Sequence, residues 1–225
     1  MSEPGDSGSS FRPPHSDAGL VWSGAGLPEA SLAVVLLHGR GGTAAGMQAL
    51  AESIGYNGVA YAAPQAAGGT WYPASFMADG EQNSAGVESA HRVIASVLDG
   101  LAAAGLNAER CGLLGFSQGA CLAADHAYRF PRRYGFVAAL TGGLIGPPGT
   151  AFPAAGSLSG TPVFLGSSRP DPHVPWDRVE ETAGTLRSMG GRVRLEAYDR
   201  APHAVLPQQV DAVRSLIDGA FEDAW

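Results

Sequence analysis

Residues 110–130, RCGLLGFSQGACLAADHAYRF, contain the arrangement Gly115-Phe116-Ser117-Gln118-Gly119 between an apolar run and a helical pattern. A serine hydroxyl in this setting can serve as a nucleophile. Glycines two residues before and two after it let the chain turn sharply from strand to helix, so that the hydroxyl stands clear of the sheet and beside the positive end of the helix. The pattern alone is weak evidence in a chain with 32 glycines. Its position at mid-chain, between a buried strand and a helix, separates it from an ordinary Gly-rich turn.

A serine hydroxyl needs a general base near neutral pH, and in a strand–turn–helix setting the order along the chain is serine, acid, histidine. Among the six histidines, His203 fits best, because DRAPHAV lies between the last strand and the last helix. From there a side chain reaches over the carboxyl end of the sheet. His38 ends the first clear strand and is expected to brace the neighbouring loop. His91 and His126 sit inside helical stretches, His15 in the amino-terminal tail and His173 in the loop of the acid, all in structural or solvent-facing roles. The acid is Asp171, in GSSRPDPHVP, which follows the buried strand PVFLG; a carboxylate there can orient the imidazole and stabilise the imidazolium. Asp199 and Asp177 are the alternatives, and Asp171 could instead be a turn-former between two prolines.

Another chemical element is LLHGRGGT, residues 36–43. Glycines at a strand end leave backbone N–H groups uncovered, so this loop can supply one oxyanion donor and the residue after the serine another. That assigns the amides of Arg40 and Gln118. A phosphate loop would need the GxxxxGK[ST] spacing, which is absent. Trp71, Tyr72, Phe76 and Met77 cluster without helical periodicity, which suits contact with an acyl or alcohol group; the alternative is that they cover one end of the sheet.

The elements that must position these residues alternate. Strands are expected over residues 32–37, 59–63, 111–116, 136–140, 163–165 and 193–198, the last with the alternation of an edge strand. Helices are expected over 44–54, 86–104, 118–130, 176–189 and 208–221. In the second helix Val87, Ala90, Ile94, Val97, Leu98 and Leu101 form one apolar face. The order predicts an α/β fold: a mostly parallel sheet covered by helices on both faces, in one domain over 20–225 with no large lid. Residues 1–19, rich in Ser, Pro, Gly and Asp, are expected to form a disordered or loosely attached tail.

Composition narrows the function. The chain has 225 residues, a net charge of −7 and 14 basic residues, all arginine, which argues against a nucleic-acid partner. Cys111 and Cys121 are too few for a disulfide framework or a metal-ligand set. The first residues lack the pattern of a signal peptide and no apolar run has membrane-spanning length, so a cytoplasmic protein is expected. The sequence is compatible with a homodimer.

HGRGG, PQAAGGTWYPASF, GFSQG, DPHVP and APH, in this order and covering the chain from about Pro14 onward, resemble the carboxylesterase and phospholipase family of α/β-hydrolases that includes acyl-protein thioesterases. The middle stretch is similar to bacterial dienelactone-hydrolase-like esterases. The resemblance implies a metal-free, cofactor-free serine esterase or thioesterase acting on a small-molecule substrate, with Ser117, Asp171 and His203 as its triad and the amides of Arg40 and Gln118 as its oxyanion hole. Many members carry a small apolar residue where this chain has Arg40. A non-hydrolytic use of the same fold, as a cyclase, lyase or binding protein, is the alternative function.

Overall fold

A computed structural model describes residues 14–222. The expected tail up to residue 13, and residues 223–225, lie outside the described residues. Seven strands form one sheet: β1 (Leu20–Gly24), β2 (Leu32–Leu37), β3 (Val59–Pro64), β4 (Cys111–Phe116), β5 (Phe136–Leu140), β6 (Pro162–Arg169) and β7 (Arg192–Asp199). Five helices accompany them: α1 (Gly46–Ile54), α2 (Gly80–Ala103), α3 (Gln118–Arg129), α4 (Trp176–Ser188) and α5 (Pro207–Glu222). The strand order is β1-β3-β2-β4-β5-β6-β7; β1 runs antiparallel to β3, and every other pairing is parallel.

Period-two alternation divides the sheet into two cores. Ala33, Val35 and Leu37 of β2 point toward α2, α3 and α4, whereas Leu32, Val34 and Leu36 point toward α1 and α5. The apolar stripe expected on α2 lies wholly in the first core. Fully buried members such as Ile94 and Leu101 each contribute on the order of 1.5–3 kcal/mol by leaving water.

The site follows from the strand order. After β2 the chain turns to one face through α1 and pairs β3 on one side; after β4 it turns to the other face through α3 and pairs β5 on the other side. The carboxyl ends of β2 and β4 therefore flank a crevice where the winding reverses, and their register brings Leu37 level with Gly115.

Three elements differ from the sequence expectation. β1 is an additional edge strand whose alternating half-exposed residues give no buried run. α2 begins at Gly80 rather than 86, because its polar first turns carry no apolar stripe; Asn83 there is buried, accepting from the Ala74 amide and donating to the Ser75 carbonyl. β6 runs on past Leu165 to Arg169, since the buried polar Ser167 and Ser168 pair with Ala197 and Tyr198 of β7.

The described end of the expected tail is docked. His15 is 4% exposed. Its backbone amide donates to Ser89 Oγ, its Nδ1 accepts from the Ala67 amide at 3.1 Å and its Nε2 lies 2.8 Å from the Trp71 carbonyl. An imidazole with both nitrogens engaged explains how a Pro- and Ser-rich segment without an apolar run is held.

Candidate active site

The turn at Ser117 is the strained element of the site. Ser117 has φ 53° and ψ −116°, a conformation that non-glycine residues rarely adopt. Its amide donates to the Leu140 carbonyl and its carbonyl accepts from the Cys121 amide, which tie the turn to β5 and to α3. The flanking glycines are there for space. A Cβ on Gly115 would lie 2.1 Å from the Gly119 carbonyl oxygen, and one on Gly119 would lie 2.0 Å from that of Leu37. Strand β4, helix α3 and the end of β2 thus approach at a distance only hydrogen atoms allow, and the Ser117 side chain is left half-buried at the crevice.

Two loops bring the partners. The loop after β7 carries His203; the Arg200 amide donates to the Arg169 carbonyl and Ser168 Oγ donates to the Pro202 carbonyl at 3.1 Å, so β6 fixes this loop. His203 Nε2 is 2.9 Å from Ser117 Oγ, and Nδ1 is 2.8 Å from Asp171 Oδ2. Asp171, in the loop after β6, has no exposed side-chain surface. Its Oδ1 accepts the His173 and Val174 amides at 2.9 and 3.0 Å. The carboxylate accepts a hydrogen bond from Nδ1–H, which holds the proton on Nδ1, so the imidazole presents a lone pair on Nε2 to the serine hydroxyl. Both sequence alternatives are exposed: Asp199 pairs with Arg169, and Asp177 lies in the first turn of α4.

Residues 38–45 form the opposite wall. His38 is buried, and burial, more than any neighbouring charge, lowers its pKa below the usual histidine value. As a neutral ring it donates from Nδ1 to the Gly39 carbonyl and accepts the Ala66 amide at Nε2, the bracing role the sequence suggests. The amides of Gly41 and Gly42 are engaged by the carbonyls of Gly69 and Gly39. Gln118, the first residue of α3, has its amide in the turn whose N–H groups lack intrahelical acceptors.

The side chains of Gln118 and Arg40 have positioning contacts that the sequence reading missed. Gln118 accepts the Trp71 amide at 2.9 Å and donates to the Tyr72 carbonyl at 2.8 Å. Arg40 donates to the carbonyls of Pro73 and Ala74 at 2.8 and 2.6 Å, and its guanidinium lies over the Tyr72 ring, 5.9 Å from the centroid. Together they fasten residues 71–74 over the crevice. Both form from residues more than thirty positions apart, which motif spacing does not reveal.

The resulting cleft measures about 590 Å³ and is open to solvent. Ser117 and His203 lie in it, between a wall formed by Arg40, Tyr72 and Phe76 and another formed by Phe116, His173 and Val174. Of the four residues expected to touch substrate, Tyr72 and Phe76 line this space, whereas Trp71 and Met77 do not. Trp71 is fully buried, donates Nε1–H to the His38 carbonyl and packs on the rings of His38 and His15; as a core residue it supports the loop. Met77 packs partly buried against the first core. His173 lines the cleft with its ring edge-on to that of His203 at 4.8 Å, and Phe116 contacts the same ring at 5.2 Å. The signal for His173 was its place two residues after Asp171.

Cys111 and Cys121 are free and buried, and burial pushes both thiols up to about 12. Among the described residues, no group of three or more His, Cys, Asp or Glu side chains is placed to hold a metal ion, and no helix is long and apolar enough to cross a membrane.

Known proteins share this fold. Residues 25–220 match the family model described as phospholipase/carboxylesterase. A phospholipase/carboxylesterase from Dyadobacter fermentans, known from its crystal structure, is 38% identical, with a TM-score of 0.85 over 89% of this chain and 96% of that one. Esterase PE8 is 26% identical, with a TM-score of 0.74 over 90% and 99% of the two chains. The acyl-protein thioesterase 1 of Eremothecium gossypii is 28% identical over 137 residues, which span 59% of this chain and 57% of that relative. The chain belongs to the phospholipase/carboxylesterase family of α/β-hydrolases, and so to the ester hydrolases.

Proposed function

We propose that this protein hydrolyses carboxylic esters or thioesters of small soluble substrates, with Ser117 as nucleophile, His203 as general base and Asp171 as the residue that orients and stabilises His203. The observation that carries the reading is the continuous relay from Asp171 Oδ2 through His203 to Ser117 Oγ, at 2.8 and 2.9 Å, opening on a solvent-accessible cleft. As Ser117 Oγ attacks the acyl carbon, Nε2 of His203 takes its proton, and the buried carboxylate stabilises the imidazolium. The carbonyl oxygen gathers negative charge, which the amides of Arg40 and Gln118 receive at the amino end of α3. The imidazolium then protonates the leaving alcohol or thiol. Water, deprotonated by the same His203, attacks the acyl-enzyme and releases the acid.

Tyr72 and Phe76 are the surfaces against which the acyl or alcohol group packs. The three relatives named above are a carboxylesterase, an esterase and a thioesterase, which favours hydrolysis over a cyclase, lyase or binding role. The absence of lysine from the sequence speaks for a small-molecule partner over nucleic acid. The two free thiols fit a reducing cytoplasm.

A fluorophosphonate tests the nucleophile directly, because attack by Ser117 Oγ displaces fluoride and leaves a stable phosphonyl ester. The expected result is a single adduct on the peptide containing Ser117, lost in Ser117→Ala. A folded enzyme left unmodified, or modified elsewhere, would contradict the assignment.

A further inference from the structure

We propose that Arg40 selects esters carrying a carboxylate, and that its guanidinium binds this group at the rim of the cleft. The proposal rests on the reading of Ser117 as nucleophile and adds the chemical class of the substrate.

Three observations converge on Arg40. A guanidinium has five N–H donors in a planar fork; two are engaged, by the carbonyls of Pro73 and Ala74, on a residue that is exposed and lines the cleft. Those acceptors are neutral. Arg92, Arg129, Arg169, Arg178, Arg194 and Arg214 each pair with a carboxylate, but among the described residues Arg40 forms no ion pair. Finally, among the described residues no Asp or Glu lines the cleft, although acidic residues outnumber basic ones by 21 to 14 in the chain. The carboxylate of the site, Asp171, has no exposed side-chain surface, pairs with His203 and accepts from two amides.

Fastening the loop does not by itself call for a permanent charge, since any long side chain with donors could reach those carbonyls. The uncompensated charge stands beside the catalytic groups, where three remaining donors can take up a carboxylate in charge-assisted hydrogen bonds. A local positive field in a protein of net negative charge also steers an anionic substrate to this mouth and away from the rest of the surface.

The test compares carboxylate esters with their neutral carboxamide isosteres, one pair carrying the group on the acyl chain (4-nitrophenyl adipate half-ester) and one on the alcohol (4-carboxyphenyl acetate). The readout is the ratio of kcat/KM for carboxylate over carboxamide, each corrected for its rate with hydroxide, in wild type, Arg40→Gln and Arg40→Lys. Wild type is expected to show a ratio of about ten in at least one pair, and that pair identifies the side on which the anion sits. In Arg40→Gln the ratio falls to about one. In Arg40→Lys most of it survives, even where both rates drop because the fork to Pro73 and Ala74 is lost. Raising ionic strength shrinks the wild-type ratio. A wild-type ratio near one in both pairs, or a ratio that Arg40→Gln leaves intact while lowering both rates equally, would overturn the proposal and leave Arg40 a loop fastener. Absence of Ser117-dependent turnover of the carboxamide esters would instead strike the assignment of the nucleophile.

Discussion

In the proposed mechanism Asp171 acts through another residue, and its placement separates catalysis from binding. The carboxylate touches His203 and two backbone amides but is not part of the cleft surface. Replacing it with Asn keeps the volume, removes the charge and lets the imidazole adopt the wrong tautomer. Asp171→Asn is expected to lower kcat by about 10³–10⁴ with little change in KM, and steady-state kinetics on a short aryl ester checks it. Asp199→Asn, in an exposed ion pair with Arg169, should leave both constants within about twofold. Activity that survives in Asp171→Asn would return the acid's role to the alternatives. This residue was legible because its loop follows a buried strand and precedes a helix. The Arg40 fork and the His15 anchor were not, since each joins segments distant in sequence through backbone carbonyls and amides, and such acceptors carry no residue signature.

At the scale of elements, the turn between β4 and α3 depends on two backbones touching. A Cβ at Gly119 would overlap the carbonyls of Leu37 and His38, both backbone atoms that a side-chain rotation does not relieve. Gly119→Ala is therefore expected to cost about 3 kcal/mol or more and to lower Tm by roughly 6–12 °C, or to prevent soluble expression. Gly100, within α2, meets nothing within 4 Å of an added Cβ. Gly100→Ala should leave Tm unchanged or raise it by a few degrees, as helix propensity favours alanine by up to about 1 kcal/mol. Calorimetry on the two variants decides, and a Gly119→Ala protein melting within 2 °C or so of wild type would contradict the close approach. The elements themselves were legible where burial made them continuous, as in β2, β4 and β5. They were lost where polar residues interrupt the pattern: the serines that extend β6, the first turns of α2, and β1, whose half-exposed alternation over five residues resembles a loop.

For the whole molecule, buried neutral histidines set the acid limit of stability. His126, on α3, is buried beside His91 of α2 and Tyr134, and desolvation, reinforced by the neighbouring His91 and Arg132, brings its pKa down to about 2. His38 is shifted in the same direction by burial. A histidine whose folded pKa lies below its unfolded value contributes fully above about pH 6.5. Its contribution is lost as pH falls, because the unfolded chain takes up a proton that the folded protein excludes. For His126 the slope approaches about 1.4 kcal/mol per pH unit below 6.5, and His38 adds to it. Tm is expected to fall steadily between pH 7 and 5, above the range in which most carboxylates titrate, and His126→Asn should flatten that limb. A Tm constant over this interval would contradict the buried neutral state.

These scales meet in one reaction. The measurement that tests the account most directly is hydrolysis of a short-chain 4-nitrophenyl ester by wild type and by Ser117→Ala, with thermal melts of both samples. The account predicts turnover by wild type and a loss of at least about 10³-fold in Ser117→Ala, with the melting temperature preserved. A folded Ser117→Ala protein that retains more than about a tenth of the wild-type rate would contradict the account.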